Sequence, residues 1–271
     1  MANGVANDMT PSTGGEGWKP VLKEAAENAR ERVMAALESG GSLGTREKKR
    51  LLDSEAQAAI RETLTQAGRP AEVVSEEGDY SIGSGGDLVV LDPVDGTTNL
   101  ARGIPLAVVS LAVSETPLLS GMVAGLVMDL QTEEVFWAVR GRGAWRDETP
   151  IKPSNGKSVN DALISIDISK GAPLEPVEPV LARARHLRQL GCSAISLCYL
   201  ASGVLDVQID VRGSLRATDV AAGLLILKEA GGVYAINGAL DGDLELTRDS
   251  TLSLVAASCT ESLNEVRDLL R

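Results

Sequence analysis

Leu88-Val89-Val90-Leu91-Asp92-Pro93-Val94-Asp95-Gly96-Thr97-Thr98-Asn99 is the stretch that decides how this chain is read. A short apolar run, the pattern of a buried strand, stops at two carboxylates three positions apart, and a Gly-Thr-Thr turn follows. Two acids at a strand end, with Pro between them and Gly after, contribute little as structure. Crowded together they repel, and a divalent cation or a shared proton is the usual relief. A strand-to-turn transition lets Asp92 and Asp95 converge with the Val94 carbonyl between them. Such oxygen donors suit a hard cation like Mg2+, and the absence of nearby His or Cys disfavours zinc. Gly96, Thr97 and Thr98 add amides and hydroxyls at the start of a possible helix, a setting for an anion. The segment implies metal-assisted phosphate chemistry.

Outward from this stretch, the spacing of Val21, Ala25, Ala29 and Val33 predicts a helix over 18–39, ended by Gly40-Gly41-Ser42-Leu43-Gly44. A second helix is expected over 47–66, with Leu51, Leu52, Ala56, Ala59, Ile60 and Leu64 inward. A strand over 71–75 and a Gly/Ser loop over 81–86 precede the strand 88–91. Three β-rich runs, 106–114, 121–128 and 134–139, and a hairpin at 141–145 follow. The polar, turn-rich segment 150–159 is the candidate boundary. After it come a strand over 162–168, helices over 176–188 and 194–202, a strand over 205–211, a buried helix over 219–230, strands over 233–236 and 252–256, and a final helix over 260–271. There are no internal repeats. The expected organisation is a flexible tail over 1–17, an N-terminal α+β domain with the metal site over 18–152, and a C-terminal α/β domain over 153–271. Together they make an α/β protein of layered helices and sheets.

The composition limits the function. With 26 basic and 38 acidic side chains the formal charge is −12, which opposes binding to nucleic acid or anionic membranes. A phosphorylated ligand then needs cations in its site. Aromatics are only 3% of the 271 residues, so the core must rest on aliphatic side chains. Cys192, Cys198 and Cys259 form no Cys-x-x-Cys pair, and they are expected to be structural thiols in a reducing cytoplasm. No apolar run reaches transmembrane length, and the polar, Gly-rich first residues do not form a signal peptide. The single histidine, His186, is expected on a solvated helix face, so mechanisms that need a catalytic His have almost nothing to use.

Four separated stretches place carboxylates at element ends: Asp53, Glu76-Glu77, Asp92 with Asp95, and Asp219. Each has an ordinary alternative. Asp53 can be a solvated helix residue, Glu76-Glu77 a solubilising loop, and Asp219 a first-turn acid. An aspartyl-nucleophile phosphatase wants Asp-x-Asp, whereas the spacing here is Asp-x-x-Asp. No Gly-x-x-x-x-Gly-Lys-[Ser/Thr] phosphate loop exists, and Gly83-Ser84-Gly85-Gly86 precedes a strand and lacks lysine.

Asp92-Pro93-Val94-Asp95-Gly96-Thr97-Thr98-Asn99 resembles the signature of the inositol monophosphatase / fructose-1,6-bisphosphatase superfamily of Mg2+-dependent, lithium-sensitive phosphatases at every position. Ser75-Glu76-Glu77 is similar to its upstream Glu-Glu motif. Thr218-Asp219-Val220-Ala221-Ala222-Gly223 is similar to its Trp-Asp-x-Ala-Ala-Gly motif, with Thr218 in place of Trp. The resemblance covers roughly 20–271. It implies an αβαβα sandwich, usually a cytoplasmic homodimer, that hydrolyses inositol 1-phosphate and/or fructose 1,6-bisphosphate by in-line attack of metal-activated water.

The resemblance also implies roles for single residues. Glu76, Asp92 and the Val94 carbonyl would hold one Mg2+, and Asp92, Asp95 and Asp219 a second. A third, weaker ion would lean on Glu76, and Mn2+ is a possible substitute. Thr97, paired with Asp53, would help deprotonate the water, and the Gly96 and Thr97 backbone would hold the phosphate. Ser193 and Asp210 would meet the sugar. Arg50 stands where the family has Thr, three residues before Asp53. The stretch 211–216 is about two residues longer than in inositol-specific members and looks more like the archaeal dual-specificity branch. There Arg212 either meets a second phosphate or is a surface strand-end residue. A 3′-phosphoadenosine 5′-phosphate phosphatase of the same superfamily is the alternative.

Overall fold

The computed structural model describes residues 14–41 and 43–270. Most of the expected tail therefore lies outside the described residues, although Gly15 is buried where the chain enters the fold. The N-terminal half begins with α1 (Lys19–Ser39) and α2 (Thr45–Gln66), which pack on each other. At the start of α2 the Gly44 amide donates to the Glu47 carboxylate at 3.2 Å, relieving one orphan donor. An eight-stranded sheet follows. It contains β1 (Ala71–Ser75), β2 (Tyr80–Ile82), β3 (Asp87–Asp95), then, after the short helix α3 (Thr97–Ala101), β4 (Val108–Ser114), β5 (Met122–Asp129), β6 (Val135–Val139), β7 (Ala144–Arg146) and β8 (Thr149–Pro150). Its order is β2-β1-β3-β4-β5-β6-β7-β8, and only the β1–β3 pair is parallel.

The second half carries β9 (Leu163–Ile166), α4 (Glu178–Arg183), β10 (His186–Arg188), α5 (Ser193–Ala201), β11 (Val207–Arg216), α6 (Ala217–Ala230), β12 (Val233–Ile236), β13 (Ala239–Leu240), β14 (Thr251–Ala257) and α7 (Thr260–Leu269). Its six strands are ordered β10-β9-β11-β14-β12-β13.

Side-chain alternation explains the layering. In β3, Val89 and Leu91 point toward α1 and α2, whereas Val90 points toward α5 and α6. In β14, Leu252, Leu254 and Ala256 meet α5 and α6 from the other side, while Val255 and Ala257 pack with Val180 of α4 and Leu263 of α7. The result is helix pair, sheet, helix pair, sheet, helix pair, the αβαβα sandwich expected. The central helices are apolar nearly all round because sheets cover them on both sides. Gly223 of α6 permits their close approach, since a Cβ there would lie 2.8 Å from Leu197 Cβ of α5.

Three local expectations need correction. The helix over 176–188 stops at Arg183, because Ala184 turns extended and β10 pairs in parallel with β9. His186 and Arg188 are exposed and Leu187 is half-buried, an alternation of period two that suits an edge strand. His186 is therefore solvated on a strand rather than on a helix. Tyr80–Ile82 is a strand antiparallel to β1, whereas the Gly/Ser composition of 81–86 predicts a loop. The strand over 205–211 continues to Arg216, with an irregularity between Asp210 and Leu215. Among the described residues no helix is long and apolar enough to cross a membrane.

Candidate active site

Backbone topology brings the acids together. β1 and β3 run parallel in register, Ser75 beside Leu91, so Glu76 and Asp92 emerge at the same end of the sheet. Asp92 pairs with Ser110 and Asp95 with Val108, so Pro93 and Val94 stand opposite the single Val109. That bulge turns both Asp92 and Asp95 toward the strand end. Gly96 then takes φ +91°, and a Cβ there would lie 2.7 Å from the Leu106 carbonyl oxygen, so only glycine fits. From the second half, α6 delivers Asp219 in its first turn, where the carboxylate accepts the Arg216 amide at 3.3 Å. One oxygen each of Glu76, Asp92 and Asp219 lies within 4.8 Å of the others.

Hydrogen bonds orient the neighbours. Asp92 accepts the Val94 amide at 3.0 Å, and Asp95 accepts the Ala194 amide of α5 at 2.7 Å. The Thr97 hydroxyl lies 2.9 Å from the Asp53 carboxylate of α2 and 2.7 Å from the Val94 carbonyl. The buried Cys192 thiol contacts the Asp95 carbonyl oxygen at 3.4 Å.

Crowding this many carboxylates is costly. Burial, then repulsion from Glu76, Asp95 and Asp219, holds the Asp92 carboxyl well above its ordinary range. Burial and the Asp219 charge lift Asp95 to about 7. Burial also lifts Asp53 to about 7, against the pull of the Thr97 hydrogen bond, and it raises Asp219 despite Arg216. The opposing positive charge is Arg216, whose guanidinium lies 2.5 Å from Glu76 and 3.6 Å from Asp219. Sequence reasoning missed this residue. Its place three positions before Asp219, at a helix entry, was the available signal.

These groups line a cleft of about 390 Å³. Glu76, Asp92, Asp95, Asp219, Gly96 and Thr97 are on its wall, and Lys49, also there, donates to the Thr98 hydroxyl at 2.9 Å. Asp167, Ser169, Lys170, Gln189, Ser193 and Arg212 line it as well. Of that group only Arg212 and Ser193 were singled out from sequence. Asp210 is not on the cleft surface. It is 1% exposed, and both its oxygens are held by Arg212 at 2.5 and 2.9 Å. Arg212 also reaches Asp167 at 3.0 Å and Ser169 at 2.8 Å, so its charge is already matched by two carboxylates. A larger open groove of about 740 Å³, bounded by Arg146, Lys152 and Gly203, contains none of the acids.

The donor set fits a hard divalent cation. It is made of oxygens only, it converges, and its carboxylates are strained by mutual repulsion that a cation would relieve.

The sequence profile of the inositol monophosphatase family matches residues 18–266. The fructose-1,6-bisphosphatase/inositol-1-monophosphatase of Methanothermobacter thermautotrophicus is 34% identical over 93% of this chain and 96% of its own length. The fructose-1,6-bisphosphatase of Pyrococcus furiosus is 30% identical over 82% of this chain and 83% of its own. A Pyrococcus horikoshii structure described as having similarities to inositol-1 monophosphatase superposes with a TM-score of 0.79 at 25% identity, covering 95% of this chain and 99% of that one. Sequence profile, relatives and fold agree, and the chain belongs to the inositol monophosphatase family.

Proposed function

We propose that this chain is a Mg2+-dependent phosphomonoesterase for a small phosphorylated polyol or sugar, with inositol 1-phosphate and fructose 1,6-bisphosphate as the candidate substrates. The observation that carries this reading is the convergence of Glu76, Asp92 and Asp219 within 4.8 Å, beside Asp95 and the Thr97–Asp53 pair. Glu76, Asp92 and the Val94 carbonyl would hold one ion, Asp92, Asp95 and Asp219 a second, and Glu76 would support a weaker third. When bound, Mg2+ acidifies water and offsets charge on the phosphoryl and leaving oxygens.

The chain's own groups do the rest. The Gly96 and Thr97 amides grip the phosphate at the start of α3. The Thr97 hydroxyl, held by Asp53, orients the attacking water and passes its proton toward that carboxylate. Attack is in line and direct. The buried Cys192 thiol, pushed well up by burial, is no nucleophile. Ser193, on the cleft wall, faces the polyol hydroxyls.

The family resemblance also supports a cytoplasmic homodimer, which light scattering of the purified protein checks for mass. A phosphate-release panel tests the activity with inositol 1-phosphate, fructose 1,6-bisphosphate and 3′-phosphoadenosine 5′-phosphate, each with Mg2+ and with EDTA. Mg2+-dependent release from the first or second is expected. Preference for the nucleotide overturns the substrate class, and release unaffected by EDTA overturns the metal.

A further inference from the structure

One stripe of α2 runs along the whole cluster. Lys49, Asp53 and Gln57 are four residues apart, so they share a helix face and advance about 6 Å per step. Each side chain reaches a successive piece of the site. Lys49 donates to Thr98, and Asp53 accepts from Thr97. Gln57 spans the turn that carries Glu76. Its Oε1 accepts the Ser75 hydroxyl at 2.8 Å, and its Nε2 donates to the Gly78 carbonyl at 3.2 Å. The amide orientation is forced, because the Gly78 carbonyl can only accept.

The turn's other ties are these: the Glu76 amide donates to the Leu91 carbonyl at 3.3 Å, the Gly78 amide donates to the Ser75 carbonyl, the Ser75 amide donates to Asp79, and the Glu76 carboxylate meets the Arg216 guanidinium at 2.5 Å. Arg216 steadies the charge of Glu76, whereas the backbone that carries it is held from α2 by Gln57. Gly78 takes φ +129°, a conformation that favours glycine and adds no side chain to pack. The Ser75 side chain is fully buried, and its hydroxyl also accepts the Glu77 amide at 3.3 Å. Gln57 is thus the side-chain link between the rigid helix and both ends of the segment 75–78.

We propose that Gln57 is a positioning residue for the cation site. It clamps the 75–78 turn from α2, so that the Glu76 carboxylate meets Asp92 and Asp219 with its direction already set. The proposal rests on the metal reading above. Groups that orient a ligand, without touching the ion, typically tune metal affinity by about 10- to 100-fold. Gln57 does not line the cleft and bonds only to Ser75 and Gly78 of the turn among its described partners, so it acts through Glu76.

The test is calorimetric titration of Mg2+ into the wild type, Gln57→Leu, Ser75→Ala and the double variant, with melting temperatures in EDTA recorded for each. The expected result is Mg2+ binding weakened about 10- to 100-fold in either single variant, with the double variant no weaker than the worse single. Turnover should return toward wild type at saturating Mg2+, which a general loss of structure would not allow. Should Gln57→Leu fail to fold, Ser75→Ala breaks the same link from the other end and decides alone. A wild type that binds Mg2+ together with variants that bind it equally well overturns the role of Gln57 and leaves the metal reading standing. A wild type that binds no Mg2+ overturns both.

Discussion

Replacing Asp95 by Asn should stabilise the metal-free protein at pH 8 while abolishing turnover. The Asp95 carboxyl is buried and lifted to about 7 from an ordinary 3.8, first by burial and then by Asp219. A folded-state value above the unfolded one means that the group's contribution is favourable at low pH and is lost as pH rises through about 7. At pH 8 the native protein carries the ionised form at a cost of about 4 kcal/mol relative to the unfolded chain; at pH 5 the native carboxyl is protonated while the unfolded one is ionised, and the cost falls to about 1–2 kcal/mol. Asn keeps an acceptor for the Ala194 amide, now 2.7 Å from the carboxylate, and brings no charge. Asp92 and Asp219 are ionisable groups of the same cluster, so part of the relief is redistributed, and about 2–4 kcal/mol should remain at pH 8.

For a chain of this size that corresponds to a melting temperature higher by about 4–15 °C in EDTA at pH 8, and a much smaller difference at pH 5. Urea unfolding at the two pH values measures it. Adding Mg2+ should reverse the order, because the wild type regains more than the variant. The reasoning is refuted if Asp95→Asn is less stable than wild type at pH 8 in EDTA, or if the gain is the same at both pH values.

Asp53→Asn should lower kcat about 10²- to 10⁴-fold while Mg2+ binding persists, since Asp53 acts on Thr97 and lies outside the proposed ligand set; steady-state kinetics with calorimetry separates the two. Gly96→Ala should cost about 1–3 kcal/mol and most activity, because the left-handed backbone and the Leu106 carbonyl at 2.7 Å resist a Cβ; a thermal melt and one rate measurement suffice. Arg216→Met should lower the melting temperature in EDTA at pH 8 more than in Mg2+, since it removes the guanidinium paired to Glu76 and Asp219. Equal losses in both buffers would argue against electrostatic relief by Arg216.

Much of the site was legible because its chemistry is local in sequence. Asp92, Asp95, Gly96 and Thr97 form one turn, and their residue types imply hard-cation and phosphate chemistry before any fold is known. The strands of the first sheet were legible for a similar reason, as apolar runs between turn residues. Legibility failed at edges and irregularities. The 184–188 segment carries helix-forming residues, yet tertiary pairing with β9 overrides that propensity. The departure of β11 at residues 211–214 leaves no periodic mark, yet it brings Arg212 and Ser214 to the cleft.

The donor chemistry and the alternation that stacks helices and sheets are written in the order of residues, because residue type and spacing are properties of the chain alone. Which charges meet depends on the folded arrangement. Parallel pairing of β1 with β3 sets Glu76 beside Asp92, and the junction of β11 and α6 brings Arg216 and Asp219 from more than a hundred residues away. Folding also closed Arg212 onto Asp210 and Asp167, and laid Gln57 across the turn of Glu76. Such encounters depend on distance in space, which linear order does not encode until the core has packed.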